Sequence, residues 1–181
     1  MNRDPYIMLG GGGTFHFKDP TKIEFGIEEV AQSLSCTCRF AGHFGYYSVA
    51  EHCIRVATLC QAHGAPKSTV ILGLLHDAAE CIIGDFPTPL KNLCIIAVDE
   101  EQNPLWLRNY EERVLRAALW KILSPEVHAS ICEVDWHDVD KADKRILEVE
   151  FDEIAEGGFI DKLTPEDACL QYMKLYSDLT S

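Results

Sequence analysis

His76 and Asp77 stand side by side inside an apolar run, and Glu80 follows one helical turn after His76. On a helix, residues three and four apart share a face. This spacing therefore puts two potential metal ligands and one potential acid/base on one surface. Val70, Ile71, Leu74, Leu75, Ala78 and Ala79 around them predict that the surface is buried. A buried carboxylate and imidazole need a partner, and a cation is a natural one. The plainer alternatives are a His–Asp hydrogen bond inside the core and an exposed helix edge. A catalytic metal needs several N/O ligands from rigid elements. The chain offers His52, His76, Asp77 and one acid from a later helix, among Asp135, Asp138, Asp140 and Asp143. Two imidazoles with two carboxylates suit one divalent ion of the manganese, cobalt, nickel, iron or zinc type better than hard magnesium.

The elements that must position these side chains are legible as periodicity and punctuation. Alternation over residues 14–17 and 23–25 predicts a short hairpin around Lys18, Asp19 and Pro20, with His16 facing outward. The glycine run 10–13 is followed by no Lys-Ser/Thr pair, so it is a flexible lead-in rather than a phosphate loop. Ile27, Val30, Ala31 and Leu34 recur at helical spacing. A loop with Arg39, Phe40, Gly42, His43, Phe44 and Gly45 follows, equally readable as a pocket wall or a surface connector. Ser48 and Glu51 form a capping box that opens a helix carrying His52, and His63 ends it exposed, where the helix dipole favours it.

Ser68 is the expected cap of the helix bearing His76 and Asp77. Gly84, Pro87 and Pro89 break that helix directly after the suspected site, so Asp85 can reach back to it. Residues 90–96 continue helically, residues 98–104 form an acidic connector, and residues 105–123 form a long amphipathic helix with Trp106, Tyr110, Val114, Leu115 and Leu119 in the core. Ser124 and Pro125 start a short helix. The acidic stretch 136–143 leads into a helix over 144–155, which Gly157 and Gly158 close, and Thr164 and Pro165 open the last one. The expected fold is all-α, a single helical bundle over residues 1–181 with a small N-terminal β ribbon, residues 1–26 being lead-in and hairpin.

The 181 residues, 47% hydrophobic and 25% charged, suffice for a substantial core. A net charge of −13 argues against a partner that coats nucleic-acid polymers. It leaves small phosphorylated substrates open, because a bound dication and a few cations outweigh the global field locally. No apolar run reaches the roughly 18 residues that a membrane span needs, and the N-terminus lacks signal-peptide order. A cytoplasmic location is expected, and with it eight free thiols.

The order His52, His76 with Asp77, then Asp143 resembles the HD-domain metal-dependent phosphohydrolases. The blocks 47–52, 76–80 and 84–91 are similar to those of bacterial 5′-deoxynucleotidases. Ser33-Leu34-Ser35, Arg39 to His43 and the N-terminal ribbon look like the phage and prophage branch. The resemblance spans roughly residues 14–150 and implies an HD-domain helical bundle. Asp143, in the stretch Asp140-Lys141-Ala142-Asp143, is the fourth ligand it implies, with Asp140 the runner-up, and Asp135, Asp138 and Asp140 are then solvated acids. It also implies that Glu80 accepts the attacking water's proton and that Asp85 serves the leaving 5′-oxygen. Arg39, Phe40, His43 and Lys91 become substrate contacts, although the best-known branch has an Arg-Trp pair where this chain has Arg39 and Phe40.

The implied reaction is hydrolysis of a deoxynucleoside 5′-monophosphate by a homo-oligomeric enzyme. A deoxynucleoside triphosphate triphosphohydrolase is the nearest alternative, and a non-catalytic nucleotide-binding regulator is the alternative from another class. Cyclic-nucleotide phosphodiesterases and (p)ppGpp hydrolases carry further ligand histidines or longer flanking domains, and His128 and His137 do not fit that role.

Overall fold

The structure is a computed structural model that describes residues 5–98, 103–159 and 162–181. It opens with β1 (Tyr6–Met8) and β2 (Thr14–His16), followed by α1 (Ile27–Cys36), a one-turn 3-10 segment at Arg39–Gly42, α2 (Val49–Ala62) and α3 (Lys67–Leu75). Two four-residue helices come next, α4 (Glu80–Ile83) and α5 (Thr88–Lys91), then β3 (Ile95–Val98) and β4 (Pro104–Trp106). The chain ends in α6 (Leu107–Ile122), α7 (Pro125–Ser130), α8 (Glu133–Ala155) and α9 (Pro165–Thr180). The fold is thus mainly α, with two small antiparallel ribbons, β1–β2 and β3–β4. No helix among the described residues is long and apolar enough to cross a membrane.

Helix α2 is the centre of the bundle and packs against α1, α3, α8 and α9. Val49, Cys53, Val56, Ala57 and Cys60 point from it into one continuous buried cluster shared with α1, α3, α6, α8 and α9. Gly73 lets α3 lie close against α2, because a Cβ there would stand 3.3 Å from the Ala57 Cα. That close approach brings the rings of His52 and His76 to 5.4 Å between centroids.

Several elements differ from the expectation for physical reasons. The glycine run is the turn of the first hairpin and not a lead-in: Leu9 N–H donates to the Gly13 carbonyl at 2.9 Å, and Gly12 takes φ +84, which glycine adopts freely. The partner of residues 14–16 is accordingly residues 6–8, while residues 23–25 form no strand. Residues 95–98 pair with residues 104–106 instead of continuing the α5 helix; a short apolar run of this length does not distinguish strand from helix. Of the acidic connector 98–104, residues 99–102 lie outside the described residues.

Helix α8 begins at Glu133, eleven residues earlier than expected, because Asp135 is a buried cap and not a solvated acid. It accepts from the Cys132 amide at 2.7 Å and from the Ser68 hydroxyl at 2.9 Å, and it also binds Thr69. Ser68 therefore ties α3 to α8 instead of capping α3, whose N-cap is Pro66.

Candidate metal centre and its cavity

His52 owes its place to the start of α2. Ser48 caps that helix by accepting from the Glu51 amide at 3.1 Å. Glu51 does not reciprocate as a capping box would; its carboxylate accepts from the Leu163 amide at 2.9 Å, anchoring the approach to α9. Helix α3 ends at Leu75, one residue before the suspected ligands, and His76 is its C-cap. The backbone then turns tightly, with Ala78 N–H bonded to Leu75 O and Glu80 N–H to Asp77 O, both at 2.9 Å. His76, Asp77 and Glu80 thus sit on a helix break and not on one continuous helical face.

Four side chains converge. His52 Nε2 lies 3.0 Å from Asp143 Oδ1 and 3.8 Å from Asp77 Oδ2. His76 Nε2 lies 3.3 Å from Asp77 Oδ2 and 3.9 Å from Asp143 Oδ1. Neither Nε2 has a hydrogen-bond partner, although both are buried. The other ring nitrogens explain why. His76 Nδ1 faces the Gly73 carbonyl at 2.8 Å, and a carbonyl only accepts, so Nδ1 carries the proton. His52 Nδ1 is 2.7 Å from Glu150 Oε1, which likewise accepts. In the neutral rings both Nε2 lone pairs therefore face the oxygens of Asp77 and Asp143. Four electron-rich atoms around one point is a costly arrangement unless a cation lies among them. The residues fit a divalent ion; His52, His76 and Asp143 alone already offer donor atoms within 4.8 Å of one another.

The electrostatics agree. Burial alone would push the Asp77 carboxyl up, yet His76, His52 and Arg39 around it hold it well below the usual carboxylate range. Burial opposes charge on His76, and the neighbouring Asp77 outweighs it, drawing the ring's affinity for a proton well above the ordinary value. Asp143 is held down too, its burial offset by His52 and His76. Each direction says that the cluster seeks positive charge.

Beside the donors opens a cavity of about 380 Å³ whose wall includes Arg39, Phe40, Asp77, Glu80, Asp85, Lys91 and Asp143. Glu80 is almost fully buried at 3% exposure. Burial and the negative Asp77 push its carboxyl well above the ordinary range, against the pull of Lys91. Asp85 is raised chiefly by burial, and the Phe40 amide faces its carboxylate. Arg39 binds Glu150 at 3.0 Å and lies 3.7 Å from Asp77. Phe40 and Ala41 occupy the left-handed region at φ 54 and 51, a conformation costing roughly 1–3 kcal/mol per non-glycine residue. The Arg39 ion pairs and the packing of Phe40 against Phe44, Phe151 and Phe159 hold the turn in place.

Nine of the ten expected site residues thus meet in one place. His43 does not: it is exposed and off the cavity wall, against Phe44. Lys91 is on the wall, but its ammonium is bonded to Glu80 at 2.9 Å and Glu111 at 2.5 Å.

Sequence reasoning missed Glu150. It is fully buried on α8 and binds His52, Tyr47 at 2.8 Å and Arg39. The available signal was its position in the buried stripe Val139, Ala142, Ile146, Glu150, where an acid is out of place. Cys53 is a core residue of α2 that also faces the site. Its thiol lies close enough to His76 and Asp77 to complete a donor group, but burial pushes it up to about 11, which keeps it protonated near neutrality. We expect Glu150→Gln to weaken metal affinity by roughly 10–100-fold, as loss of a ligand's orienting partner does. Competition with a chromophoric chelator measures it; unchanged affinity would show that Glu150 only packs.

No protein-family model matches the chain. It is 37% identical over 89 residues to the uncharacterized protein YfdR of Escherichia coli, covering 49% of this chain and 47% of that one. It is 38% identical over 78 residues to an uncharacterized protein of Rhodobacter capsulatus, covering 40% of each. The chain spans less than half the length of these curated relatives, and the likeness brings no activity with it.

Proposed function

We propose that this chain is an HD-domain metal-dependent phosphohydrolase that cleaves deoxynucleoside 5′-monophosphates to deoxynucleoside and orthophosphate. The observation that carries the proposal is the convergence of His52, His76, Asp77 and Asp143, with two unpartnered imidazole nitrogens, beside a cavity whose wall holds Asp77, Asp143, Glu80 and Asp85. The four donors would hold one divalent ion, of the manganese, cobalt, nickel, iron or zinc type. When bound, the ion supplies a Lewis acid for the phosphoryl oxygens and lowers the pKa of an adjacent water.

The chain's own residues complete the reaction. The water's oxygen bonds to phosphorus and the bond from phosphorus to the 5′-oxygen breaks. Glu80, with one carboxylate oxygen unpartnered, takes the water's proton. Asp85, whose raised pKa makes its protonated form accessible, gives a proton to the leaving 5′-oxygen. Arg39 and Phe40 form the wall against which phosphate and sugar are oriented.

Charge favours a monophosphate over a triphosphate. Arg39 and Lys91 are already bonded to carboxylates, and Asp77, Glu80, Asp85 and Asp143 leave the cavity wall acid-rich. A triphosphate would bring more negative charge than these groups neutralise.

Product analysis on purified, manganese- or cobalt-loaded protein tests the proposal, using parallel panels of deoxynucleoside mono- and triphosphates with their ribonucleotide counterparts. Orthophosphate from the deoxynucleoside monophosphates, with ribonucleotides processed slowly, is the expected result. Intact triphosphate from one deoxynucleotide would move the chain to triphosphohydrolase chemistry. No product from a protein that holds one ion would make it a nucleotide-binding regulator.

A further inference from the structure

Lys91 ends the short helix α5, and its position resembles that of a free cation waiting for a phosphate. Its surroundings give it a different task. Nζ lies 2.9 Å from Glu80 Oε1 and 2.5 Å from Glu111 Oε1, and the side chain is only 13% exposed. Two of its three N–H donors are therefore spent on carboxylates. The group of two acids and one ammonium carries net negative charge when ionised, so it does not attract an anion. Glu111 projects from α6 and is absent from the cavity wall, so it has no evident contact with a substrate. Glu80 Oε1 is occupied by this link, while its Oε2 is buried without a partner.

We propose that Lys91 and Glu111 are positioning residues for Glu80: Glu111 fixes the ammonium, the ammonium fixes Oε1, and Oε2 is left as the oxygen that handles the proton. The need for such a clamp follows from local charge. Glu80 stands next to the Asp77 carboxylate, which repels it, and a glutamate side chain has freedom to swing away. A cation behind it, itself held by a third helix, opposes that movement. The inference rests on the proposed role of Glu80 as the base, and it replaces the expectation that Lys91 binds phosphate.

Kinetics of the manganese-loaded protein with a deoxynucleoside monophosphate separate the two roles of Lys91. Lys91→Met should lower kcat by about a hundredfold, the scale of a misplaced reacting group. It should leave KM within about twofold, because binding would be untouched. Glu111→Leu should lower kcat in the same manner to a smaller extent. Lys91→Arg, which can still bridge two carboxylates, should recover most of the rate. In a Glu80→Gln background, calorimetric affinity for the monophosphate should not change on adding Lys91→Met. A tenfold loss of that affinity, or a rise in KM with kcat kept, would make Lys91 a phosphate contact and overturn the clamp. Full kcat in a folded Glu111→Leu protein would overturn it as well. Should the wild type hydrolyse no deoxynucleotide, the functional proposal fails separately. Crystal structures of wild type and Lys91→Met then decide the clamp: a displaced Glu80 carboxylate supports it, and an unmoved one overturns it.

Discussion

Asp77→Ala is expected to remove metal binding and turnover together. Asp77 Oδ2 is the oxygen closest to His76 Nε2, at 3.3 Å, and it also faces His52 Nε2 at 3.8 Å and the Arg39 guanidinium at 3.7 Å. Its removal leaves three of the four donors, and Arg39 loses one of the carboxylates that balance it beside the same point. Loss of a group that merely orients a ligand costs roughly 10–100-fold in metal affinity, so loss of a ligand should cost more than about a hundredfold. Activity should fall by at least about a thousandfold, since the water activation and charge neutralisation asked of the ion vanish together. Elemental analysis after gel filtration measures the metal, and circular dichroism checks the fold. Asp77→Asn, which keeps the side chain's size but removes its charge, should behave almost as badly. A stoichiometric ion in Asp77→Ala would mean that the ligand set is wrong.

Three ligand candidates, His52, His76 and Asp77, could be picked out without coordinates, because metal chemistry restricts residue types and these three stand among apolar residues. The fourth could not: Asp135, Asp138, Asp140 and Asp143 are equivalent by type and spacing, and only the resemblance to HD-domain proteins points to Asp143. Helix ends were legible for a similar reason: Ser124 and Thr164 accept from the amides of Val127 and Asp167, as short polar residues at N-caps do. Periodicity also located most of the core of α6, where Tyr110, Val114, Leu115 and Leu119 are buried, but not Trp106, which ends β4 and is only half-buried.

Other features depend on tertiary structure and leave weak traces in the chain. Helix α3 is buried nearly all round, so its composition shows no face and no hint that it stops at Leu75. The i, i+4 logic still grouped His76 with Glu80, because the tight turns that replace the helix keep them near one another. The left-handed turn at Phe40 and Ala41 has no glycine to announce it. It exists because Arg39 is pulled inward by Glu150, more than a hundred residues away in the chain. Glu111 and Glu150 matter through what they touch, and a contact across helices is the information that one unaligned sequence lacks.

Glu80→Gln should do the opposite of Asp77→Ala and separate metal from chemistry. Glu80 is not among the four converging donors, so the variant should retain its ion. Glutamine keeps the side chain's length and can still accept from Lys91, so the fold and the cavity wall should persist. What it loses is the ability to take a proton, and kcat should drop by roughly 10²–10⁴-fold. The pH profile adds a second check. Burial and Asp77 together raise the Glu80 carboxyl well above the usual carboxylate range, against Lys91. A base works only when ionised, so the wild-type rate should climb with pH through that raised pKa and fall away below it. The residual rate of Glu80→Gln should lack that acidic limb, because the group that produced it no longer titrates. Loss of the ion from Glu80→Gln would place Glu80 among the ligands, and an acidic limb that survives the substitution would assign the proton to another group on the cavity wall, with Asp85 the first to examine.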